Sequence, residues 1–306
     1  MMVIVKLAGG FGNQMFQYAA GINLASQLDC ECKFDLDWFK SHDAHNGFEL
    51  DRVFNLNLPI ATLKDKKQTF GMYKTFIKLL GDKLLSSRLN FFRPHFLLTE
   101  DRFSHILNLK SISNNLYMVG YWQSGKYFSD VEHEIRELFS FKYPVNNSTK
   151  YWQNLIQECP NSVSLHVRRG DYISDHKSAA AMGLCTLSYY KGAIKNIQNK
   201  IEGSYFFIFS DDLVWARETF DFLPEVYFVD GNKSSDSCLD MYLMSLCSHH
   251  ILANSSFSWW GAWLSRHNQQ VVIAPNPWFN SSVQGDDICP KEWTLLDKNS
   301  GVLLSD

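Results

Sequence analysis

Val3-Ile-Val-Lys-Leu-Ala-Gly-Gly-Phe-Gly-Asn-Gln-Met-Phe-Gln-Tyr-Ala19 decides the fold class. Val3–Leu7 is a short apolar, β-branched run, the pattern of a buried strand. Gly9, Gly10 and Gly12 form a turn, and a helix follows from about Asn13 to Leu28. Phe16, Ala19, Ala20 and Ala25 fall near one face of that helix, beside Met15 and Ile22. Cys30–Asp35 reads as a second strand. Strand, glycine turn, helix and strand make a βαβ opening, which implies a parallel sheet. The spacing is not G-x-G-x-x-G, because Met15 stands where the last glycine belongs, so the dinucleotide fingerprint is missing. Glycine backbone ahead of a helix N-terminus still suits an anion. A purely structural turn capped by Asn13 is the alternative.

Further along, residues 60–110 show Lys-rich helical stretches, Tyr117–Tyr121 reads as a strand and Phe128–Phe139 as a helix. Phe141–Ser148 carries Pro, Asn and Ser with little periodicity and is the linker candidate, giving domains of residues 1–150 and 151–306. A second βα series follows. Ser162–Val167 alternates with period two, and Tyr205–Ser210, Glu225–Asp230, His250–Ala253 and Gln270–Ala274 read as strands. Tyr189–Lys200, Asp236–Ser248 and Phe257–Leu264 read as helices. The expectation is an α/β chain with two Rossmann-like, doubly wound domains. Ligands of such sheets sit beyond the carboxyl ends of the strands. Gly9–Gln14, His166–Tyr172, Ser210–Asp212 and Asn254–Trp259 all fall at that position.

These motifs carry the candidate chemistry. Arg168 and Arg169, at a strand end with Asp171 near, suit a diphosphate, because guanidinium makes forked, charge-assisted bonds to phosphate. Adjacent residues of an extended chain point to opposite sides, so one Arg faces a ligand and the other is structural. Ser210-Asp211-Asp212 suits a ribose, a metal, or a helix cap with an acidic first turn. Asp35 and Asp37 have the D-x-D spacing of metal-dependent transferases, a short pattern that recurs by chance. Asn254, Ser255, Ser256 and Phe257 open another helix whose amides and hydroxyls suit a phosphate, with Trp259 and Trp260 expected in the core.

The totals exclude other classes. The 306 residues carry 29 basic and 32 acidic side chains, a net charge of −3, which does not fit a nucleic-acid binder. Seven scattered Cys without a C-x-x-C fit a reducing compartment, and no apolar run approaches the roughly 20 residues of a membrane span. The expectation is a cytoplasmic protein.

Taken together, Gly9–Ala19, His166–Tyr172, Phe209–Asp212 and Asn254–Trp263 resemble the bacterial α-1,2-fucosyltransferases of glycosyltransferase family 11. Phe48–Phe54 and Gly120–Ser124 look like that family as well. The resemblance implies a GT-B-like fold with its two domains facing a cleft, the C-terminal one holding GDP-fucose and the N-terminal one the acceptor. It implies that Arg168 meets the donor diphosphate, that His166 lies near the guanine and that Asp240 reads the guanine N–H edge. Gly10, Gly12, Arg169, Ser210, Asp211, Asp212, Asn254, Ser255, Ser256 and Phe257 join the donor side, and Asn13 matches a near-catalytic Asn. His45, Glu49 and Trp122 are acceptor-side candidates. The base stays open among His42, Asp43, His45, Glu49 and Asp171. The expected reaction inverts the anomeric centre without metal or cofactor. Its expected acceptor is a galactose-containing or lipid-linked glycan of O-antigen or other surface-polysaccharide synthesis, which would bring the protein to the inner membrane face. A metal-dependent transferase with another nucleotide sugar, and a non-catalytic nucleotide or glycan binder, are the competing readings.

Overall fold

The computed structural model describes residues 1–42, 46–71, 96–100, 115–142, 145–170, 173, 176–232, 234–280 and 287–304. The chain divides into two compact units, Met1–Ser140 and Phe141–Asp306.

In the first unit, β1 (Met2–Lys6), β2 (Glu31–Asp35), β3 (Leu97–Thr99) and β4 (Leu116–Val119) form a sheet in the order β2-β1-β4-β3. Every described pairing is parallel. Val3, Ile4 and Val5 of β1 are fully buried, as a parallel strand covered on both faces requires. Helix α1 (Phe11–Gln27) crosses from β1 to β2, and Tyr18 stacks on Phe34 at 5.0 Å between ring centroids. Short helices α2 (Leu50–Val53), α3 (Leu63–Phe70) and α4 (Glu132–Leu138), with 3₁₀ turns at Asp37–Lys40 and Gly125–Val131, complete the described part. The buried amides of α1 bind loops: Gln14 Nε2 donates to the carbonyls of Gly9 and Gly47, and Gln17 Nε2 donates to that of Gly120.

In the second unit, β5 (Ser162–Val167), β6 (Tyr205–Ser210), β7 (Val226–Phe228), β8 (His249–Ile251), β9 (Val272–Asn276) and β10 (Thr294–Asp297) run parallel in the order β10-β9-β8-β5-β6-β7. The helices are α5 (Asn147–Glu158), α6 (His176–Met182), α7 (Leu187–Lys200), α8 (Leu213–Phe220), α9 (Cys238–Leu246) and α10 (Ser256–Trp263). Central β5 is buried along its whole length. Its period of two sends Val163, Leu165 and Val167 into one core with Tyr189, Ile194 and Ile197 of α7. The opposite side of the sheet buries Phe207 and Phe209 with Trp152 and Ile156 of α5 and Leu243 and Met244 of α9. The buried Ser164 Oγ lies 2.8 Å from His250 Nδ1, which satisfies a polar pair inside the sheet. Trp259 lies within 6 Å, ring centre to ring centre, of Trp260, Trp263 and Trp293.

The α/β class with parallel sheets is the one the alternating pattern predicts. Differences are local. Helix α1 begins at Phe11, with Gly10 as its cap and no side-chain cap bond, so Asn13 does not cap it. Strand β3 falls in the stretch that reads as helical, because three residues are too few to show a period. Helix α5 starts inside the expected linker, where Asn146 accepts from the Thr149 N–H.

Candidate active site

The β5–β6 register builds the sharpest cluster. Val167 pairs with Ser210, so the next residues, Arg168 and Asp211, leave the sheet side by side. Arg168 Nη1 lies 3.0 Å from Asp211 Oδ2. The same carboxylate accepts the backbone N–H of Arg169 at 2.8 Å and of Gly170 at 3.0 Å. A Cβ at Gly170 would stand 2.9 Å from Asp211 Oδ2 and displace that carboxylate from the two N–H groups it accepts from. Arg169 is held differently. Its Nε donates to Asp212 Oδ2 at 3.0 Å, and its guanidinium lies over the Trp215 ring at 4.0 Å. Asp212 also caps α8 by accepting from the Trp215 N–H, and Ser210 Oγ accepts from the Asp212 N–H. The two bonds from Arg169 and Trp215 hold the Asp212 carboxyl below its usual range.

His166 ends β5 on the face opposite Val167. It is 6% exposed, with its ring 5.8 Å from that of Phe257, and Nδ1 finds no partner among the described residues. Burial, helped by Arg168, lowers its pKa to about 3, so the imidazole is neutral at physiological pH. Ser255, beyond β8, caps α10 by accepting from the Phe257 N–H at 3.3 Å. Ser256 and Phe257 form the half-buried first turn of that helix. Asp240, in the first turn of α9, accepts from Asn232 Nδ2 at 2.8 Å. Burial pushes its carboxyl up to about 7 against that bond. Asn232 is itself fixed, since its Oδ1 accepts from the Thr149 hydroxyl at 2.7 Å.

In the first unit the ends of β1, β3 and β4 meet at α1. Gly9 adopts φ +79°, and a Cβ there would lie 2.9 Å from Asn13 Nδ2 and 3.4 Å from the Tyr121 ring. Gln123 Nε2 donates to Asn13 Oδ1 at 2.6 Å. Glu100, after β3, accepts from the N–H groups of Tyr121 and Trp122. Burial pushes the Glu100 carboxyl up to about 7, while the amide bonds oppose the rise. On the β2 side, Lys66 Nζ lies 2.5 Å from Asp35 and 2.6 Å from Asp37.

The family model described as "Glycosyl transferase family 11" matches residues 89–297. An α-1,2-colitosyltransferase of Escherichia coli is 36% identical over 97% of this chain and 99% of its own length. The O-antigen biosynthesis glycosyltransferase WbnK of Escherichia coli is 32% identical over 89% of this chain and 93% of its own. The chain belongs to glycosyltransferase family 11. Among solved structures, fucosyltransferase NodZ from Bradyrhizobium matches with a TM-score of 0.52 at 15% identity, over 85% of this chain and 91% of that one. Arabidopsis thaliana FUT1 in complex with GDP gives 0.50 at 12% identity, over 94% and 74%. These two are likenesses of fold.

Several residues of this family 11 chain do other work than the sequence suggests. Asn254 is 1% exposed, and its Nδ2 donates to the carbonyls of Met182, Gly183 and Trp278, so it ties loops together rather than facing a donor. Arg169 and Ser210 are engaged with Asp212. Trp122 is 1% exposed and packs edge-on against Tyr127, so it offers no face to an acceptor, whereas its neighbour Tyr121 is 44% exposed. Glu49 is 2% exposed and paired with Arg52 at 2.7 Å, buried too far to meet an acceptor directly. The Asp35 and Asp37 pair is satisfied by the Lys66 ammonium, and among the described residues no group of His, Cys, Asp and Glu has the make-up of a metal site. Asp43, His45 and Asp171 lie outside the described residues. Sequence reasoning missed Glu100, Asn232 and Tyr121. Gln123 lay inside a recognised motif without a role. None of the described helices is long and apolar enough to cross a membrane.

Proposed function

We propose that this family 11 enzyme transfers L-fucose from GDP-β-L-fucose to a galactose hydroxyl of a glycan, in an α-1,2 linkage with inversion. The observation that carries the reading is the β5–β6 edge, where Asp211, itself gripped by two backbone N–H groups, holds Arg168 beyond the sheet. In this displacement the acceptor oxygen bonds C1 as the C1–O bond to the β-phosphate breaks. The electron pair leaves on GDP, and the acceptor hydroxyl gives its proton to a base among His42, Asp43, His45 and Asp171. Arg168 meets the charge that develops on the leaving diphosphate, an interaction stronger in the transition state than in the ground state. Ser255, Ser256 and the N-terminus of α10 suit the same phosphates. Asp240, once ionised, accepts from guanine N1–H and the 2-amino group, a pair that adenine and uracil do not offer. Asn13 and Tyr121 serve the sugar side. Arg168 supplies the positive charge that a divalent cation provides in other transferases, so the reaction proceeds without metal or cofactor. The name of WbnK supports an acceptor in O-antigen assembly, with the enzyme peripheral at the inner membrane face.

The test incubates the protein with GDP-fucose, GDP-mannose or UDP-galactose, each with lactose and EDTA, and follows nucleoside diphosphate release. Release from GDP-fucose alone with a fucosylated lactose is the expected result. Activity that appears only with manganese overturns the metal-free reading, and stoichiometric binding without product overturns transfer itself. The likeness to the α-1,2-colitosyltransferase favours one second reading. Colitose is fucose without its 3-hydroxyl, so GDP-colitose belongs in the same panel, and preference for it would reassign the donor.

A further inference from the structure

Glu100 and Gln123 have no part in the chemistry above, yet Gln123 bonds Asn13 and Glu100 holds the turn that carries Gln123. Thr99 pairs with Val119, which brings Glu100, just past β3, beside Gly120, just past β4. Glu100 Oε2 accepts from the Tyr121 N–H at 3.0 Å and the Trp122 N–H at 2.5 Å, and the Gln123 N–H adds to the same carboxylate. Successive amides on one carboxylate clamp a turn that would otherwise be strained. Trp122 sits at φ +55°, a left-handed conformation that strains a bulky residue. Gly120, at φ +155°, leaves no room for a side chain, since a Cβ would lie 2.7 Å from Glu100 Cβ. Gln17 Nε2 holds the Gly120 carbonyl at 3.0 Å from the other side. At the end of this clamped turn, Gln123 is 7% exposed and donates to Asn13 Oδ1 at 2.6 Å. Oδ1 is thereby occupied and the plane of the Asn13 amide fixed, which leaves Nδ2 as the donor for a ligand oxygen.

We propose that Glu100 and Gln123 are positioning residues for transfer: Glu100 holds the Gly120–Gln123 turn, and Gln123 orients Asn13 so that Nδ2 meets an oxygen of the transferred sugar or the acceptor. The proposal rests on the reading of Asn13 as part of the reacting site. A pre-set donor adds to turnover because its orientation is fixed before substrate arrives. Guanine and diphosphate are assigned to second-unit residues, so the effect belongs in kcat and not in the KM for the GDP-sugar.

Gln123→Glu keeps the shape but replaces the N–H donor with a carboxylate oxygen facing Asn13 Oδ1. Glu100→Gln replaces one carboxylate oxygen with an N–H donor that cannot accept from the amides of the turn. Each variant is expected to lower kcat by about 10- to 100-fold with the KM for the GDP-sugar within about twofold. In an Asn13→Ala background, Gln123→Glu is expected to cost nothing further, as for residues acting through one group. An equal additional loss in that background overturns the proposal, and so does a rise in KM with kcat unchanged. A binding-independent arm reads the side-chain amide resonances of Asn13 in 15N-labelled full-length protein. They are expected to shift in both variants, and unshifted resonances overturn the orientation by Gln123 even where no GDP-sugar is turned over. Absence of turnover on every GDP-sugar, with the resonances shifted, sinks the fucosyl-transfer reading and leaves the positioning geometry standing. Full turnover in Asn13→Ala removes the role of Asn13 and this proposal with it.

Discussion

Asp240→Asn separates the stability of the second unit from its proposed recognition of guanine. The Asp240 carboxyl is raised from an ordinary 3.8 to about 7, chiefly because it is buried, and the Asn232 N–H only partly offsets this. That rise corresponds to about 4 kcal/mol against the charged form. The folded chain holds this proton more tightly than the unfolded chain. Stability is therefore lost as pH climbs from the ordinary value to about 7. An asparagine of the same shape escapes the loss, and its Oδ1 still accepts from Asn232. In urea unfolding of the free protein, the variant is expected to exceed wild type by about 2–4 kcal/mol at pH 8 and by about half of that at pH 5. Its amide cannot present two acceptors to guanine, so calorimetry is expected to show GDP binding weakened at least tenfold, about 1.4 kcal/mol. Equal stability at pH 8, or a gap that fails to shrink at pH 5, would refute the buried-charge argument. A stabilised variant that binds GDP as tightly as wild type would refute the guanine assignment alone.

Arg168→Ala is expected to cut transfer by about 10²- to 10³-fold with an unchanged melting curve, and normal turnover would remove the central claim. Lys66→Ala leaves the buried Asp35 carboxylate without its ammonium and should cost about 3 kcal/mol in urea unfolding; a neutral result would mean water replaces the ion pair. Asn254→Ala strips the bonds to the carbonyls of Met182, Gly183 and Trp278 and should cost about 2–4 kcal/mol, with turnover per folded molecule close to wild type. A selective loss of GDP binding there would return Asn254 to the donor.

The fold was legible wherever a period had room to show itself. Val3–Leu7 reads as a strand because burial on both faces imposes an apolar run, and Ser162–Val167 because its apolar residues recur with period two. Strand β3 spans only Leu97–Thr99 and leaves no such trace. At the site, what was legible was the chemistry of residue types at strand ends. His166, Arg168 and Asp211 stand together because the β5–β6 register requires it. The adjacency of the two arginines was legible, but not which partners hold them. That depends on Trp215 and on the backbone amides of residues 169 and 170, whose positions no local pattern encodes. Polar residues misled for the same reason. Asn254 and Glu49 look functional in a motif, yet each spends its polar atoms on neighbours within its own unit. Glu100 carries no signal at all, since its role arises only when β3 and β4 pair.

The packed tryptophans of the second unit have an optical consequence. Indoles at the spacings of Trp259, Trp260, Trp263 and Trp293 couple their excited states and exchange energy. The first unit holds only Trp38 and Trp122 and contributes no comparable cluster. Near-ultraviolet dichroism therefore reports chiefly on the second unit, whereas far-ultraviolet dichroism sums over both. Divergence of the two signals along a denaturant series would time the loss of one unit against the other without any label.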